Sequence, residues 1–350
     1  MSLNLTSHPK APDTLKETRP NFKVLLADMA IHPAGIDLLA EQSTLVKLPS
    51  YSPEAEVLEA ARDVDAILAR TCVISAPIIH AAPRLKIVSR HGVGYDNVDI
   101  GACTRHGIAV SITEGSNAES VSEHAFACIL AVANRLIPAH ASTRVGQWER
   151  DEMSGLELHG KTLGIFGLGR IGARTAKHAL AFDMEVLACD PYISQREARS
   201  AGATLVPSDT LLRQSDFISI HVPLTAETRH MIGSRELELM KPRAILVNTA
   251  RGGIIDEEAL CQALSAGHLY GAALDVFEEE PVRPDHPLLQ LDNLVCSPHV
   301  AGVTAESMLR TSVAAAENIL HVLHGEKPSH LVNPEVLKNH SRITWCNSAS

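Results

Sequence analysis

The chain has 350 residues, of which 45% are hydrophobic and 21% charged, values that are ordinary for a folded globular protein. This composition excludes a disordered chain, a collagen-like chain and a small disulfide-stabilised fold. The formal net charge of −10 makes nucleic acid and membranes poor partners, because both attract a basic surface. The seven cysteines are scattered without a C-x-x-C pair, which is typical of reduced cysteines in a cytoplasmic protein.

The first half of the chain predicts a small parallel sheet. Residues 1–21 contain no apolar segment of signal-peptide type, so we expect a mobile tail there. From residue 22, short apolar runs alternate with helical segments, a pattern that predicts parallel strands covered on both faces. The runs are FKVLLAD, LVKL, DAILAR, LKIVSR and IAVS. They define a first domain over residues 22–112.

The second half predicts a larger doubly wound sheet. A helix is predicted over about residues 120–135, with Ser120 and Glu123 spaced as a capping box. The apolar runs that follow are LGIFG, EVLAC, TLV, DFISIH, AILVN, GAALD and NLVCS. This strand density predicts an α/β domain with a parallel sheet over residues 113–303.

The end of the chain predicts one more helix, over about residues 305–324, stopped by Gly325. We expect this helix to return to the first domain, which assigns residues 304–335 to it. Residues 336–350 show no periodicity and are predicted to be a second tail.

A dinucleotide-binding fingerprint follows the first strand of the second domain. Its residues are Gly167, Gly169, Arg170, Ile171 and Gly172 in the run GLGRIG. The glycines allow a tight turn, close approach of a pyrophosphate to the backbone, and close packing of the helix on the strand. The acidic residue Asp190 ends the next strand, where a carboxylate hydrogen-bonds the ribose and repels a 2′-phosphate. The sequence therefore predicts NAD as cofactor, and not NADP.

The run Gly92-Val93-Gly94 also follows a strand but lacks a third glycine, and carboxylates come next. Two interpretations stay open from spacing alone. The run is either a tight turn or a backbone nest that binds a small anion.

Three polar residues follow later strands of the second domain: Arg251, Glu280 and His299. The carboxyl ends of the strands are where ligands of open α/β sheets bind. A guanidinium holds a carboxylate, a histidine exchanges the proton of a hydroxyl, and an acid beside the histidine fixes its tautomer. Taken singly, His299 also fits a structural role, and Glu280 also fits a place on a solvated acidic face. The hypothesis of a catalytic site therefore rests on the joint placement of the three residues.

Several segments together resemble the D-isomer-specific 2-hydroxyacid dehydrogenase family. The resemblance covers about residues 23–335 and is carried in the family's order by GLGRIG, CDPY, HVPLT, LVNTARGGIIDEEAL, ALDVFEEEP and SPHVAG. The run RHGVGYDNVDIGACTRHGIAV is most similar to the branch of D-3-phosphoglycerate dehydrogenases and hydroxypyruvate reductases.

The resemblance implies a Rossmann NAD domain inserted into a smaller, flavodoxin-like substrate domain, and a homodimer formed through the NAD domain. It implies Arg251 for the substrate carboxylate, His299 as acid and base, and Glu280 as its partner. It also implies that the Val93-Gly94 backbone binds the carboxylate. The cofactor would be further held by His221, Pro223, Thr228, Thr249 and Asp275.

The chain departs from the phosphoglycerate dehydrogenase pattern after the third strand. Where that branch carries an R-S-x-T run whose arginine binds the substrate phosphate, the matching run is Leu68-Ala69-Arg70-Thr71. Leu68 thus stands in the arginine's place, and Arg70 is the candidate to replace it. We therefore expect no large preference for a phosphorylated substrate. We also expect no regulation through a C-terminal domain of the kind that some phosphoglycerate dehydrogenases carry.

The predicted function is reversible hydride transfer between NAD(H) and C2 of a short 2-hydroxy or 2-oxo acid, with no metal. His321 and His324 lie one helical turn apart without a third ligand nearby in sequence. Within the family, formate dehydrogenases are a weaker match because they carry glutamine where Glu280 stands, and Asp190 disfavours an NADP-dependent glyoxylate reductase. The alternative from another class is an NAD(H)-sensing, corepressor-like interaction protein that uses the same fold.

Overall fold

The computed structural model describes residues 21–338 and 342–346. The predicted N-terminal tail, residues 1–21, therefore lies outside the described residues except for its last residue. Two parallel sheets with helices on their faces make up the described chain, which confirms the predicted α/β fold.

The first sheet has five strands in the order β2-β1-β3-β4-β5. Its elements are β1 (Phe22–Ala27), α1 (Pro33–Ala40), β2 (Ser43–Lys47), α2 (Glu54–Ala61), β3 (Ala66–Ala69), α3 (Ala76–Ala81), β4 (Ile87–Arg90), α4 (Ile100–Arg105) and β5 (Ala109–Ser111). The residues of β3 and β5 are buried throughout, as expected for strands that helices cover on both faces.

The second sheet has seven strands in the order β12-β11-β10-β9-β6-β7-β8. Its strands are β6 (Thr162–Phe166), β7 (Glu185–Cys189), β8 (Thr204–Leu205), β9 (Phe217–Ile220), β10 (Ile245–Asn248), β11 (Gly271–Leu274) and β12 (Leu294–Cys296). Its order reverses between β6 and β9, and in such sheets a ligand binds at that crevice.

Eight further helices accompany the second sheet or follow it. They are α5 (Ala118–Ala133), α6 (Leu136–Arg144), α7 (Arg170–Ala181), α8 (Gln195–Ser200), α9 (Ser208–Gln214), α10 (Ser234–Leu239), α11 (Glu257–Ser265) and α12 (Ala305–Leu323). Short 3₁₀ helices occur at Arg150–Met153, Pro287–Gln290 and Pro334–Leu337.

Helix α12 lies on the first sheet, although it follows the second sheet in the chain. Its Ala315, Ala316 and Ile319 are fully buried in the same core cluster as Val24 and Leu68. It packs closely on α1, where a Cβ on Gly35 would lie 2.5 Å from the Ser312 carbonyl oxygen. The first sheet with α1–α4 and α12 is called the first unit below, and the second sheet with α5–α11 the second unit.

Two local predictions differ from the structure. Helix α5 begins at Ala118, two residues earlier than predicted, and the Ser120 hydroxyl donates to the Asn117 carbonyl instead of capping the helix. The predicted tail from residue 336 is packed where it is described, because Val336 is 1% and Ile343 5% exposed in the core of the first unit. The apolar residues there are too few in a row to form a periodic pattern that predicts packing from the sequence. Residues 339–341 and 347–350 lie outside the described residues.

In the part of the chain that the structure describes, no single helix has the length and apolarity to cross a membrane. Helices α5 and α6 reach that length and composition only as a pair, and they meet at an angle of 63°.

Candidate active site

The glycine-rich turn between β6 and α7 has the geometry of a phosphate cradle. Gly167 has φ +85°, and a Cβ there would lie 2.8 Å from the His221 carbonyl oxygen. A Cβ on Gly172 would lie 2.1 Å from the Gly167 carbonyl oxygen, so only glycine lets α7 approach the turn. Gly169, by contrast, faces open space, with no atom within 4 Å of its Cβ position. The backbone at the start of α7 is thus open to an anion.

Asp190 follows β7 directly and faces this turn. Its carboxylate accepts hydrogen bonds from the Leu168 N–H at 2.9 Å and the Tyr192 N–H at 2.9 Å. The acid therefore lies at the edge of the cradle, in the place that a ribose-binding acid requires.

Directly after β9 and β10, two buried polar atoms have no hydrogen-bond partner among the described residues: His221 Nδ1 and Thr249 Oγ1. Thr249 is 7% exposed and follows β10 directly. His221 bonds Ser219 Oγ through Nε2 at 2.9 Å, and burial lowers the pKa of His221 to about 4, so the ring is neutral at pH 7. Unpaired buried groups are costly, and a bound dinucleotide would supply partners for both.

The other predicted cofactor residues have partners within the protein. Arg170 begins α7, and its Nε donates to Glu114 Oε1 at 3.0 Å. Thr228 donates through its hydroxyl to the Pro223 carbonyl at 2.6 Å and so closes the loop after β9. Ile171 lies in the first turn of α7.

The structure brings His299 and Glu280 together. Nδ1 of His299 lies 2.7 Å from Glu280 Oε2, and Glu280 Oε1 accepts the Phe277 N–H at 3.1 Å. Burial opposes ionisation of Glu280, but the hydrogen bond and charge of His299, the Phe277 N–H and the Arg251 charge together hold the pKa of Glu280 below its usual value. The imidazole Nε2 is thus left for another group, with an ionised acid behind it.

Arg251 lies beside the backbone of Gly94, across the interface between the two units. A Cβ on Gly94 would lie 1.2 Å from Arg251 Nη2, so the guanidinium is in contact with this residue. Arg251 Nε also donates to Asp96 Oδ1 at 2.8 Å. The predicted Arg251, Val93 and Gly94 are therefore neighbours in space, although they are about 155 positions apart. Their backbone N–H groups and guanidinium can share one carboxylate.

The structure corrects the sequence argument about Leu68. Leu68 is fully buried in β3 and faces α12 in the core of the first unit, so no side chain at this position reaches a substrate. Arg70 comes directly after β3, and its Nη1 lies 3.4 Å from Asp28 Oδ1. The strand ends at Ala69, so Arg70 lies at its carboxyl end and not within the strand.

Asp28 holds Arg70 through a carboxylate that is not exposed at all. Burial alone would raise the pKa of Asp28, but hydrogen bonds from the Ala30 N–H and the Thr71 and Ser50 hydroxyls, with the Arg70 charge, lower it. Arg70 is therefore paired with an ionised acid.

Arg90, which the sequence did not single out, ends β4 two residues before Gly92. Its Nε donates to Asn97 Oδ1 at 2.9 Å and its Nη1 to the His91 carbonyl at 2.8 Å. Burial, followed by the charge of Arg251, lowers the pKa of Arg90 to about 10. Its place at the end of a strand was the available signal, the same one that identified Arg251.

Asp275 follows β11 directly and is buried. Its side chain is 0% exposed, and its oxygens accept the Ser297 hydroxyl and the Val300 and Ala301 N–H groups at 2.6, 2.8 and 2.8 Å. The carboxylate thus holds the loop that carries His299.

A cavity of about 440 Å³ opens beside His299, between the two units. Tyr51 of the first unit lines it together with Glu280, Pro281 and Phe277 of the second. Among the described residues, no group of three or more His, Cys, Asp or Glu side chains is placed to hold a metal ion.

Comparison with known proteins gives consistent matches. A family model described as "D-isomer specific 2-hydroxyacid dehydrogenase, NAD binding domain" matches residues 126–301. The chain is 44% identical over 313 residues to a D-3-phosphoglycerate dehydrogenase of Archaeoglobus fulgidus, covering 89% of this chain and 59% of that protein. It is 44% identical over 311 residues to a glyoxylate reductase of Korarchaeum cryptofilum, covering 87% and 94%.

Solved structures agree with this. The crystal structure of D-lactate dehydrogenase from Aquifex aeolicus, in complex with NAD and lactic acid, superimposes with a TM-score of 0.79 at 30% identity, covering 89% of this chain and 99% of that one. The chain therefore belongs to the D-isomer-specific 2-hydroxyacid dehydrogenase family, as predicted, and residues 126–301 match its NAD-binding domain. It spans 59% of the length of the A. fulgidus phosphoglycerate dehydrogenase.

Proposed function

We propose that the protein is an NAD-dependent dehydrogenase that interconverts a short D-2-hydroxy acid and its 2-oxo acid. The observation that carries this proposal is the hydrogen-bonded pair His299–Glu280, 2.7 Å apart, beside an arginine in contact with the Gly94 backbone. NAD(H), when bound, accepts or supplies the hydride at C2. In this proposal residues 113–303 form the NAD domain, and residues 22–112 and 304–335 the substrate domain.

Each residue of the site has one role in this proposal. Arg251 and the Val93-Gly94 backbone hold the substrate carboxylate, which fixes C2 relative to the cofactor. His299 Nε2 donates a proton to the C2 oxygen in reduction and accepts it in oxidation. Glu280 accepts from Nδ1, which fixes the tautomer and stabilises the protonated ring.

We further propose that the substrate carries a single negative charge. Three guanidinium groups, on Arg70, Arg90 and Arg251, interact with the carboxylates of Asp28 and Asp96. Glu280 adds a third carboxylate beside Arg251, and His299 carries one more positive charge when it is protonated for reduction. One positive charge then remains, and the substrate carboxylate balances it. Arg70 is already engaged by Asp28, so a phosphate at C3 would compete with a buried acid. The expectation that the protein has no large preference for a phosphorylated substrate therefore rests on Asp28 and no longer on Leu68.

The substrate tail is tested by comparing kcat/KM for phosphohydroxypyruvate and hydroxypyruvate, in the wild type and in Arg70→Ala. We expect the two acids to be comparable in the wild type, or hydroxypyruvate to be better. The opposite result would be a wild-type preference of about a hundredfold for the phosphorylated acid, equal to about 2.7 kcal/mol. If that preference disappeared in Arg70→Ala, it would show that Arg70 binds phosphate.

The class of reaction is tested by NADH oxidation with hydroxypyruvate, glyoxylate, phosphohydroxypyruvate and sulfopyruvate in parallel. His299→Ala should lower kcat by more than about a hundredfold while NADH affinity stays unchanged, because the ring acts on the transition state. Near-normal turnover in His299→Ala would contradict the role of His299 as acid and base. NADH binding without turnover of any acid would instead favour the NAD(H)-sensing interaction protein.

We also propose a homodimer formed through the second unit, in a reducing compartment such as the cytoplasm. Helix α6 contains no buried residue, and Val145 and Trp148 after it are 73% and 83% exposed. A monomer rarely leaves such side chains uncovered together. All seven cysteines are free thiols, which supports a reducing compartment.

A further inference from the structure

The backbone of His299 has a conformation that its side chain does not favour. His299 has φ +53°, in the left-handed region that residues with a Cβ rarely adopt. Its N–H donates to the Asp275 carbonyl at 2.8 Å. The Asp275 carboxylate holds the residues on both sides, through Ser297 before it and Val300 and Ala301 after it. The acid therefore maintains the loop through Ser297 and through the backbone N–H groups of Val300 and Ala301.

His124 of α5 completes this arrangement from outside the loop. Its Nε2 lies 3.0 Å from Ser297 Oγ and 3.7 Å from Asp275 Oδ1. The Ser297 hydroxyl has one proton, and at 2.6 Å it donates this proton to Asp275 Oδ1. Ser297 can then only accept from His124, which assigns the proton of the imidazole to Nε2. The result is a directed chain of hydrogen bonds from His124 through Ser297 to Asp275.

We propose that His124 is a positioning residue for His299, acting through Ser297 and Asp275. When the Nε2–H donor is absent, the Ser297 hydroxyl loses the partner that orients it toward Asp275. The carboxylate then holds the loop from one side only, and His299 is free to leave the left-handed conformation that points Nδ1 at Glu280. This inference rests on the proposed role of His299, but its effect on the loop can be measured without any activity.

The first test compares two substitutions of similar size. In His124→Gln the side-chain amide can still donate to Ser297 Oγ, whereas His124→Leu fills the space without a donor. We expect the leucine variant to lose about tenfold in kcat, the scale of one lost buried hydrogen bond, with the KM of the 2-oxo acid within about twofold. The glutamine variant should keep kcat within about threefold. Equal losses in both variants, or none in either, would overturn the proposal.

The second test uses no substrate. Diethyl pyrocarbonate acylates accessible histidines, and mass spectrometry follows the peptide of His299 against that of His159, whose side chain is 78% exposed. In the absence of cofactor, His299 should react several-fold faster in His124→Leu than in the wild type or His124→Gln. If the ratio of the His299 to the His159 acylation rate is unchanged in His124→Leu, the positioning role is contradicted, even if the wild type turns over every acid. A raised ratio supports it even if no acid is found.

A double-mutant cycle addresses a leucine variant that does not fold. Ser297→Ala removes the middle of the chain while His124 stays, and it should reproduce the lower kcat and the faster acylation of His299. Combined with His124→Gln, it should be no worse than Ser297→Ala alone, because without the Ser297 hydroxyl the side chain at position 124 has nothing to orient. Additive losses would show that the two residues act independently, which the proposal does not allow.

Discussion

Three consecutive glutamates follow β11, and each has a different partner. Glu278 pairs with His230 at 2.9 Å, Glu279 lies 3.6 Å from Arg283, and Glu280 pairs with His299 at 2.7 Å. Glu280 also accepts a backbone N–H from Phe277, which fixes its orientation. Three chemically identical side chains thus differ in role because the loop directs them to different neighbours.

The charge of Glu280 should set the pH range of reduction. The pKa of Glu280 lies below its usual value, so the acid is ionised at neutral pH and favours the protonated form of His299. Glu280→Gln removes that charge and keeps the shape. The falling limb of kcat/KM against pH in the reduction direction should then move to lower pH, by about one unit.

Oxidation needs the neutral ring, so its rising limb should move to lower pH in the same variant. Glu279→Gln, which leaves the His299 pair intact, is the matched control and should leave both profiles in place. Profiles that coincide for Glu280→Gln and the wild type would contradict the role of the acid.

Asp190 should determine the choice between NADH and NADPH. A carboxylate about 4 Å from a 2′-phosphate is repelled by about 4 kcal/mol at an effective dielectric constant near 20. Asp190→Asn removes the charge, but its amide oxygen can accept only some of the hydrogen bonds from Leu168 and Tyr192. We expect kcat/KM to fall with NADH and to rise with NADPH. A wild type that uses both cofactors within a few-fold contradicts the assignment.

At the residue scale, the sequence identified the groups that end strands but not their contacts. Arg251, Glu280 and His299 were found because carboxyl ends of parallel strands share one edge of the sheet. Leu68 was matched to the arginine by the family's pattern, which does not show that β3 buries Leu68 and ends at Ala69. The contacts of Asp275 depend on a loop conformation that no spacing in the sequence encodes.

At the element scale, α12 depends on one glycine of α1. A Cβ on Gly35 would lie 2.5 Å from the Ser312 carbonyl oxygen, which is backbone and cannot move aside cheaply. Gly35→Ala should therefore lower the free energy of unfolding by about 1–3 kcal/mol, the usual cost of overpacking. Urea denaturation measures this directly.

Gly169→Ala is the control for that measurement, since its Cβ would meet no atom within 4 Å. It should leave the unfolding free energy of the cofactor-free protein nearly unchanged. If Gly35→Ala is as stable as this control, α1 and α12 are not in the close contact that the structure shows.

The strands were predictable from the sequence and the exact helix starts were not. Buried parallel strands appear as continuous apolar runs, so all the strands of both sheets were found. The start of α5 was missed because Ser120 is 4% exposed and bonds back to its own helix, which leaves it unable to cap. The packing of residues 342–346 on the first unit depends on contacts between distant parts of the chain.

At the scale of the whole molecule, the site belongs to neither unit alone. Arg251 of the second unit reaches Asp96 of the first at 2.8 Å, and Arg310 of α12 donates to the Ser116 carbonyl at 3.0 Å. The chain passes between the units before α5 and again before α12. Movement about these two connections would open and close the cavity beside His299.

In the proposed homodimer, the two copies should meet at the exposed apolar side chains of the second unit. Leu136 and Ile137 are 58% and 52% exposed at the start of α6, and Trp148 is 83% exposed. Large aromatic residues dominate the energy of interfaces, so Trp148→Glu should weaken a dimer more than substitution of a polar neighbour.

We expect the wild type to sediment as a dimer at micromolar concentration and Trp148→Glu as a monomer. If the monomer is stable by itself, the melting temperature of Trp148→Glu at low concentration should equal that of the wild type. Tyr192→Glu is the control, because Tyr192 is 94% exposed but follows β7, away from α6 in the chain. It should remain a dimer in analytical ultracentrifugation. A monomeric wild type, or a Trp148→Glu variant that dimerises as well as Tyr192→Glu, would show that this surface has another use.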